Sequence, residues 1–343
     1  MIAVHTSLPA RLPVTLLTGF LGSGKTTLLA YLVRQPGMAN TAVIVNEFGE
    51  IGLDHMLVAP GQENIVLLDS GCLCCTVASS LSETLAELYF RRVRGEIPPF
   101  ERLVIETTGL ADPAPILNML MRESFAVRHY VLDGVVTVVD GLNGLAQLES
   151  HAEAMKQAAV ADRLVVTKGD RVAAERLDRL IRRLRALNPA APILSAVMGV
   201  LDPAAILGAG PFEAESKSSA VGRWLAAEAY APHHGHGHDV NRHDAHIRGC
   251  SVWIDTVIGW QGYADWTEAL RRLPQGDLLR VKGLLRIGPG GEPYLIQGVQ
   301  HVFDEPRRLA AWPDPDPRGR PVFILRDVPQ AAIDDALAKL RQD

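Results

Sequence analysis

The chain has little cysteine, no excess of positive charge and no long apolar run. Lys and Arg number 34 against 39 Asp and Glu, which gives a net charge of −5. A surface built for nucleic acid or for an anionic membrane needs the opposite sign, so neither is an expected partner. No apolar run reaches the roughly 18 residues of a membrane span, and the first residues lack the pattern of a signal peptide.

These absences predict a cytoplasmic protein, in which thiols stay reduced. The 4 cysteines are therefore interpreted as metal ligands, nucleophiles or core residues and not as disulfides. Apolar material is plentiful, because 48% of the 343 residues are hydrophobic. At roughly 150 residues per domain, this length predicts a globular protein of two domains.

Short β-branched runs alternate with longer helical patterns from residue 14 to about residue 200. This alternation predicts an α/β domain with a mostly parallel sheet. The predicted strands are Val14–Thr18, Thr41–Asn46, Ile65–Asp69, Leu103–Glu106, Val135–Asp140, Arg163–Thr167 and Pro192–Leu194. The predicted helices cover residues 25–34, 80–94, 113–120, 151–160 and 173–187.

The C-terminal part of the sequence has a different order of predicted strands and helices. Grouped strands and a tight turn at 288–291 predict a smaller α+β domain on an antiparallel sheet. We therefore divide the chain into a first domain over 1–225, a His-rich linker over 226–249 and a C-terminal domain over 250–343. The predicted C-terminal strands are Ser251–Ile258, Leu278–Ile287, Tyr294–Phe303 and Val322–Leu325, and the predicted helices are Tyr263–Leu273 and Pro329–Leu340.

A phosphate-binding loop follows the first predicted strand. Residues 19–27 read GFLGSGKTT, the G-x-x-x-x-G-K-[ST] pattern in its strand-to-helix context. Lys25 is expected to reach the β- and γ-phosphates, and the Thr26 hydroxyl to hold Mg²⁺. The glycines turn backbone N–H groups onto phosphate oxygens at the positive end of the next helix. The predicted nucleotide-binding residues here are Gly19, Gly22, Ser23, Gly24, Lys25, Thr26 and Thr27.

An acidic residue ends the apolar strand Leu103–Glu106. Glu106 suits a water-mediated contact to Mg²⁺ or a role in placing the attacking water. Gly109, three residues later, can offer a backbone N–H to the γ-phosphate. With Lys25 they form the predicted catalytic set, and the alternative is an ordinary buried strand with a solvated glutamate at its end.

The tetrapeptide Thr167-Lys168-Gly169-Asp170 predicts selection of the base. The Asp170 carboxylate can accept hydrogen bonds from N1 and N2 of guanine, a donor pair that adenine lacks. The usual guanine signature begins with Asn, and this chain has Thr167 there. The predicted base-binding residues are Thr167, Lys168 and Asp170, and a surface turn is the alternative.

Three of the four cysteines, Cys72, Cys74 and Cys75, fall within four residues. In an extended segment Cys72 and Cys74 point to the same side, and thiolates suit zinc, cobalt(II) or copper(I). The segment between the phosphate loop and the cysteines is a predicted switch. Its Glu47, Glu50 or Asp54 can add an oxygen ligand to this metal or to Mg²⁺, and a solvated loop residue is the alternative for each. No second cysteine pair is present, so an open site that passes its metal on fits better than a closed structural one. Buried inert cysteines or a redox pair are the alternatives.

Six of the 11 histidines fall between His233 and His246. Such a tract is typical of a weak collector of several metal ions, with a solvated His-rich linker as the alternative. Two other functions fit parts of the chain. A small-molecule P-loop kinase leaves the cysteines and Asp170 unexplained, and a metal store or sensor would depend on the histidine tract.

The motifs taken together resemble those of the CobW-type P-loop GTPases, relatives of the nickel-handling GTPases of urease and hydrogenase maturation. They are GFLGSGKTT at 19–27, NEFGE at 46–50, GCLCC at 71–75, ETTGLADP at 106–113 and TKGD at 167–170. The resemblance covers a GTPase domain to about residue 225, the His-rich linker and a CobW C-terminal-like domain from about residue 250.

This resemblance implies a GTP-dependent metallochaperone or metal insertase. It implies GTP and Mg²⁺ as ligands, Zn²⁺ or sometimes Co²⁺ as the metal, and a client metalloprotein that receives it; a homodimer is left open. It also implies that the cysteine triplet holds the metal, that Glu106 takes the role of the acidic strand residue and that Asp170 reads guanine.

Overall fold

The computed structural model describes residues 11–45, 65–69, 77–208, 247–274 and 277–340, with the backbone course alone for 65–69 and 77–80. The predicted metal ligands Glu50, Cys72, Cys74 and Cys75 and the histidine tract 233–246 lie outside these ranges.

A parallel sheet forms the centre of the first domain. Its strands are β1 (Leu12–Gly19), β2 (Thr41–Val45), β3 (Ile65–Asp69), β4 (Arg102–Glu106), β5 (Tyr130–Asp140), β6 (Arg163–Thr167) and β7 (Ile193–Ala196). Within the described residues the sheet has seven strands in the order β3-β2-β4-β1-β5-β6-β7. The predicted α/β class is confirmed, and each strand predicted in this first domain is present. Strand β5 starts at Tyr130, earlier than predicted, because Asp133 and Gly134 interrupt its β-branched run.

Helices cover both faces of this sheet. They are α1 (Lys25–Leu32), α2 (Val77–Val93), α3 (Ala114–Arg122), α4 (Ser124–His129), α5 (Gly144–Ser150), α6 (Ala152–Ala159) and α7 (Ala174–Leu187). Helices α4 and α5 were not predicted, because 6 and 7 residues are too short to show a helical apolar period. The strands between these layers are almost wholly buried, as expected of a parallel sheet.

The C-terminal domain is an antiparallel sheet with two helices. Its strands are β8 (Ile247–Ser251), β9 (Leu278–Ile287), β10 (Glu292–Val299), β11 (Val302–Phe303), β12 (Arg307–Arg308) and β13 (Val322–Arg326), and its helices are α8 (Trp260–Arg271) and α9 (Gln330–Lys339). The main path runs β11-β10-β9-β13-β8, with β12 beside β10. Helix α8 buries Trp266 and α9 buries Ile333 in one cluster with Phe323 of β13.

The strand predicted at Ser251–Ile258 is wrong. The strand is β8, which ends at Ser251, while Ile254 and Ile258 make only isolated bridges. Both side chains are buried in the core, so their apolar pattern reflects burial without a continuous ladder. The strand predicted at Tyr294–Phe303 is divided at Gln300, whose φ of 53° turns the chain back on itself.

The two domains share a core. Leu279, Val299 and Val302 of the C-terminal sheet belong to the same buried cluster as Leu132 and Val160 of the first domain.

Candidate functional site

The phosphate loop leaves the middle of the parallel sheet. Strand β1 lies between β4 and β5, with Leu17 opposite Glu106 and Gly19 opposite Val138. The loop therefore emerges beside the acidic end of β4, at the carboxyl edge where open α/β sheets bind their ligands.

Two loop glycines have backbone positions that other residues do not tolerate. Gly19 has a φ of 143°, and a Cβ there would overlap the Val138 carbonyl group. Gly24 has a φ of 92° and immediately precedes α1. The loop can therefore pass close to β5 and still present the N-terminus of α1 to an anion.

The Lys25 ammonium lies over its own loop. Its Nζ donates to the Gly19 carbonyl at 2.9 Å and to the Phe20 carbonyl at 3.4 Å. The residue is only 8% exposed. The positive charge is thus held where the phosphate loop is expected to receive the β- and γ-phosphates.

Thr26 and Glu106 meet at the start of α1. The Thr26 hydroxyl donates to Glu106 Oε1 at 3.0 Å, and Glu106 is 1% exposed at the end of β4. A hydroxyl and a carboxylate are hard oxygen donors of the type that Mg²⁺ prefers. This donor set fits the ion, and these two residues would hold it with the phosphates.

Gly109 packs directly on the phosphate loop. A Cβ at this position would come within 2.7 Å of the Leu21 Cα atom. The Gln157 side chain on α6 donates to the carbonyls of Ala111 at 2.9 Å and of Gly109 at 3.3 Å. Gln157 thereby positions the segment after β4, and sequence reasoning missed it because a single glutamine in a helix belongs to no motif.

The TKGD segment is joined to the phosphate loop by two side chains. The Thr167 hydroxyl donates to the Ser23 carbonyl at 2.6 Å. The Lys168 ammonium donates to the Gly22 carbonyl at 2.6 Å and to Asp140 Oδ2 at 2.7 Å. These bonds fix the predicted base-binding end of β6 relative to the loop.

Asp140 is a site residue that the sequence analysis missed. It ends β5, is 1% exposed, and also accepts a hydrogen bond from the Leu142 N–H at 2.7 Å. Burial by itself raises the pKa of Asp140, but the bonds from Lys168 and the backbone outweigh it and hold that pKa below its usual range. Its position in the sequence could have identified it, because Asp140 ends an apolar strand as Glu106 does.

One cavity of about 230 Å³ adjoins the TKGD segment. Its lining residues are Gly24, Thr27, Thr167, Lys168, Asp170, Arg171, Met198 and Gly199. The structure therefore brings the predicted base-binding residues together with the end of the phosphate loop. Sites for a whole drug-sized ligand span roughly 300–1,000 Å³, so this volume suits one part of a nucleotide.

The part of the chain that the structure describes contains no group of three or more His, Cys, Asp or Glu side chains arranged around a metal position. The predicted ligands Cys72, Cys74, Cys75 and Glu50 lie outside that part. In the same described ranges, no helix is long and apolar enough to cross a bilayer.

Comparison with known families matches both domains. Residues 13–195 match the CobW/HypB/UreG nucleotide-binding domain. Residues 247–341 match the cobalamin synthesis protein cobW C-terminal domain.

Individual relatives span nearly the whole chain. It is 34% identical to the zinc chaperone YjiA of Escherichia coli, over 96% of this chain and 98% of that protein. It is 32% identical to the zinc chaperone CobW of Pseudomonas aeruginosa, over 96% of this chain and 91% of that protein. The crystal structure of Zn(II)-bound YjiA GTPase from E. coli superposes with a TM-score of 0.72 at 29% identity, covering 97% of this chain and 100% of that one.

Proposed function

Because the chain belongs to the CobW family, we propose that it is a GTP-hydrolysing metallochaperone. It binds a transition metal, with zinc as the first candidate, and delivers it to a client metalloprotein in the cytoplasm. The main support for binding and hydrolysis of a nucleotide is the contact between Thr26 and Glu106 at 3.0 Å. This contact joins the phosphate loop to the acidic end of β4.

GTP is the nucleotide that the cavity supports best. Asp170 lines it together with Lys168 and Thr167, so a carboxylate is available for the N1 and N2 donors of guanine. Mg²⁺ bound through Thr26 and Glu106 would neutralise charge that develops on the phosphates.

The placement of the neighbouring strand ends supports coupling between nucleotide and metal. Val45, the last residue of β2, lies in register with Glu106 on one side and with Asp69, the last residue of β3, on the other. The chain continues from Val45 towards Glu50 and from Asp69 towards Cys72. Both predicted metal-binding segments therefore start beside the strand that carries Glu106.

The mechanism that we propose follows this order. Binding of Mg²⁺–GTP would order the segment around Glu47–Asp54 and present Cys72 and Cys74 together, with Cys75 and Glu50 completing the site, so that the metal binds tightly. Hydrolysis, with water placed near Glu106, relaxes the segment and lowers the metal affinity. A client docks on the C-terminal domain. The protein that receives this client can be a monomer or a homodimer. Nucleotide and metal are then coupled ligands, and the coupling is reciprocal.

Hydrolysis of GTP tests the enzymatic part. We expect release of phosphate from GTP without a phosphorylated small molecule, and Glu106→Gln should lower kcat by roughly 10²-fold or more. Glu101→Gln, at the exposed residue immediately before this strand, is the matched control and should leave kcat unchanged. Equal turnover of ATP, or an unchanged kcat in Glu106→Gln, would contradict the proposal.

A further inference from the structure

A strained turn borders the base cavity. In the segment Val197–Val200, Met198 has a φ of 51° and Gly199 a φ of 80°, and the Val200 N–H donates to the Val197 carbonyl at 2.9 Å. Two successive left-handed residues make a type I′ turn, which favours Asn-Gly or Gly-Gly. Methionine in the first central position is unusual, because a side chain beyond Cβ disfavours this conformation.

Neighbouring residues hold the turn in place. A Cβ on Gly199 would come within 2.6 Å of the Thr27 carbonyl oxygen and 3.1 Å of the Tyr31 Cβ atom, both on α1. The turn is therefore seated on the helix that follows the phosphate loop. The position of Met198 is set by this packing and not by its own backbone preference.

The Met198 side chain lies at the cavity with most of its surface uncovered. It lines the cavity together with the predicted base-binding residues and is 69% exposed. Backbone strain that the surroundings impose is concentrated at ligand sites. A flexible apolar side chain on such a turn, next to Asp170, indicates contact with a ligand.

The Thr167 hydroxyl, at the Asn position of the guanine motif, is bonded within the protein. The Thr167 hydroxyl donates to the Ser23 carbonyl at 2.6 Å, so its hydrogen is engaged with the phosphate loop. The Asp170 carboxylate accepts hydrogen bonds and so can read only the edge of the base. Among the described residues that line the cavity, Met198 carries the one apolar side chain, which makes it the candidate for contact with the face of the base.

We propose that Met198 packs against the face of the bound guanine, so that the Val197–Val200 turn supplies affinity for the base while Asp170 supplies its selection. This inference rests on the proposed function, because it assumes a guanine nucleotide in the cavity. The thioether is polarisable and interacts favourably with aromatic rings. A face contact is also indifferent to the exocyclic groups of the base.

The test is calorimetric titration of the full chain with unlabelled GDP and IDP in the presence of Mg²⁺. Met198→Gly removes the thioether and relieves the left-handed strain. It should raise the Kd of GDP roughly three- to tenfold and that of IDP, which lacks the N2 amine, by the same factor, with no loss of thermal stability. Met198→Leu, which keeps an apolar side chain, should stay within about twofold of wild type.

The matched control is Val197→Ala. Val197 is 44% exposed in the same turn but is not among the residues that line the cavity, so its truncation should leave both affinities unchanged. Equal weakening by Val197→Ala and Met198→Gly, or an unchanged Kd in Met198→Gly while wild type binds GDP, overturns this inference alone. A wild-type chain that binds no GDP overturns the proposed function together with it.

Discussion

Arg280 of β9 and Asp162, immediately before β6, form an ion pair between the two domains. The distance from Nη2 to Oδ2 is 2.8 Å, and the two side chains are 2% and 1% exposed. Asp162 Oδ2 also accepts a hydrogen bond from the Val135 N–H at 3.0 Å, and the Lys282 ammonium lies 3.7 Å from Oδ1. One carboxylate of the first domain thus faces two cations of the C-terminal sheet.

Asp162→Asn is expected to destabilise the protein strongly. It removes the negative charge while Arg280 stays buried, and loss of one partner of a buried pair costs about 3–5 kcal/mol. Urea unfolding measures the change. Glu268→Gln, which removes an exposed pair with Arg272, is the control and should cost about 0–1 kcal/mol. Equal losses of unfolding free energy in the two variants would show that the buried interdomain pair stabilises the protein no more than an exposed pair does.

Lys282 gives the stability a pH dependence with a defined sign. Burial lowers the pKa of Lys282 from 10.5 to about 8, against the opposing effect of Asp162. Between these values the unfolded chain holds a proton that the folded chain has released. The penalty of the buried charge is therefore fully present below pH 8 and is relieved as the pH rises towards 10.5.

The measurement is the difference in unfolding free energy between wild type and Lys282→Met at several pH values. The unfolding free energy of wild type should rise relative to that of Lys282→Met as the pH rises across this window. The rise is at most about 1.4 kcal/mol per pH unit, the value for one proton. Lys339→Met, which removes an exposed lysine at the end of α9, is the control and is measured at the same pH values. A difference for Lys282→Met that does not change across the window would contradict the assigned cause.

Thr167→Val tests the bond to the phosphate loop. The substitution keeps the shape but removes the donor to the Ser23 carbonyl, so we expect a several-fold higher Kd for GDP and a stability loss of about 1 kcal/mol. Thr137→Val is a matched control, because the Thr137 hydroxyl donates to the Gln157 carbonyl at 2.7 Å in an equally buried position. It should lose similar stability and bind GDP with a smaller change in Kd. Identical GDP affinities in the two variants would argue against a specific role for Thr167.

The departure from the usual guanine motif has a local explanation. Thr167 stands where the motif has Asn, yet its hydroxyl still reaches the loop, and Lys168 makes a second contact through the Gly22 carbonyl. The connection between the predicted base-binding end of β6 and the phosphate loop is therefore made with a shorter side chain.

Motifs at strand ends were predictable from sequence, because a parallel sheet brings the carboxyl ends of its strands to one edge. This is why Lys25, Thr26, Glu106 and the TKGD segment lie together. Asp140 followed the same rule but carries no motif, so it was missed. Gln157 comes from a helix distant in sequence, and only the tertiary fold places it at Gly109.

Two further features depend on contacts that a single sequence does not show. The Asp162–Arg280 pair joins residues 118 positions apart. The left-handed backbone of Met198 lies next to Gly199, which packs closely on α1, and no local propensity for methionine predicts it. The error at Ser251–Ile258 has the same origin, since buried isoleucines there imitate the alternation of a strand.

The most direct test of nucleotide-gated metal binding is zinc affinity by competition with a chelating dye. Wild type and Cys72→Ser/Cys74→Ser would each be measured with Mg²⁺–GTP, with Mg²⁺–GDP and without nucleotide, with Cys250→Ser as a control for the remaining cysteine of β8. We predict that GTP tightens zinc binding by tenfold or more, about 1.4 kcal/mol of coupling, and that the double variant alone loses this gain. An affinity that is independent of nucleotide, or that survives the loss of both thiols, would contradict the account.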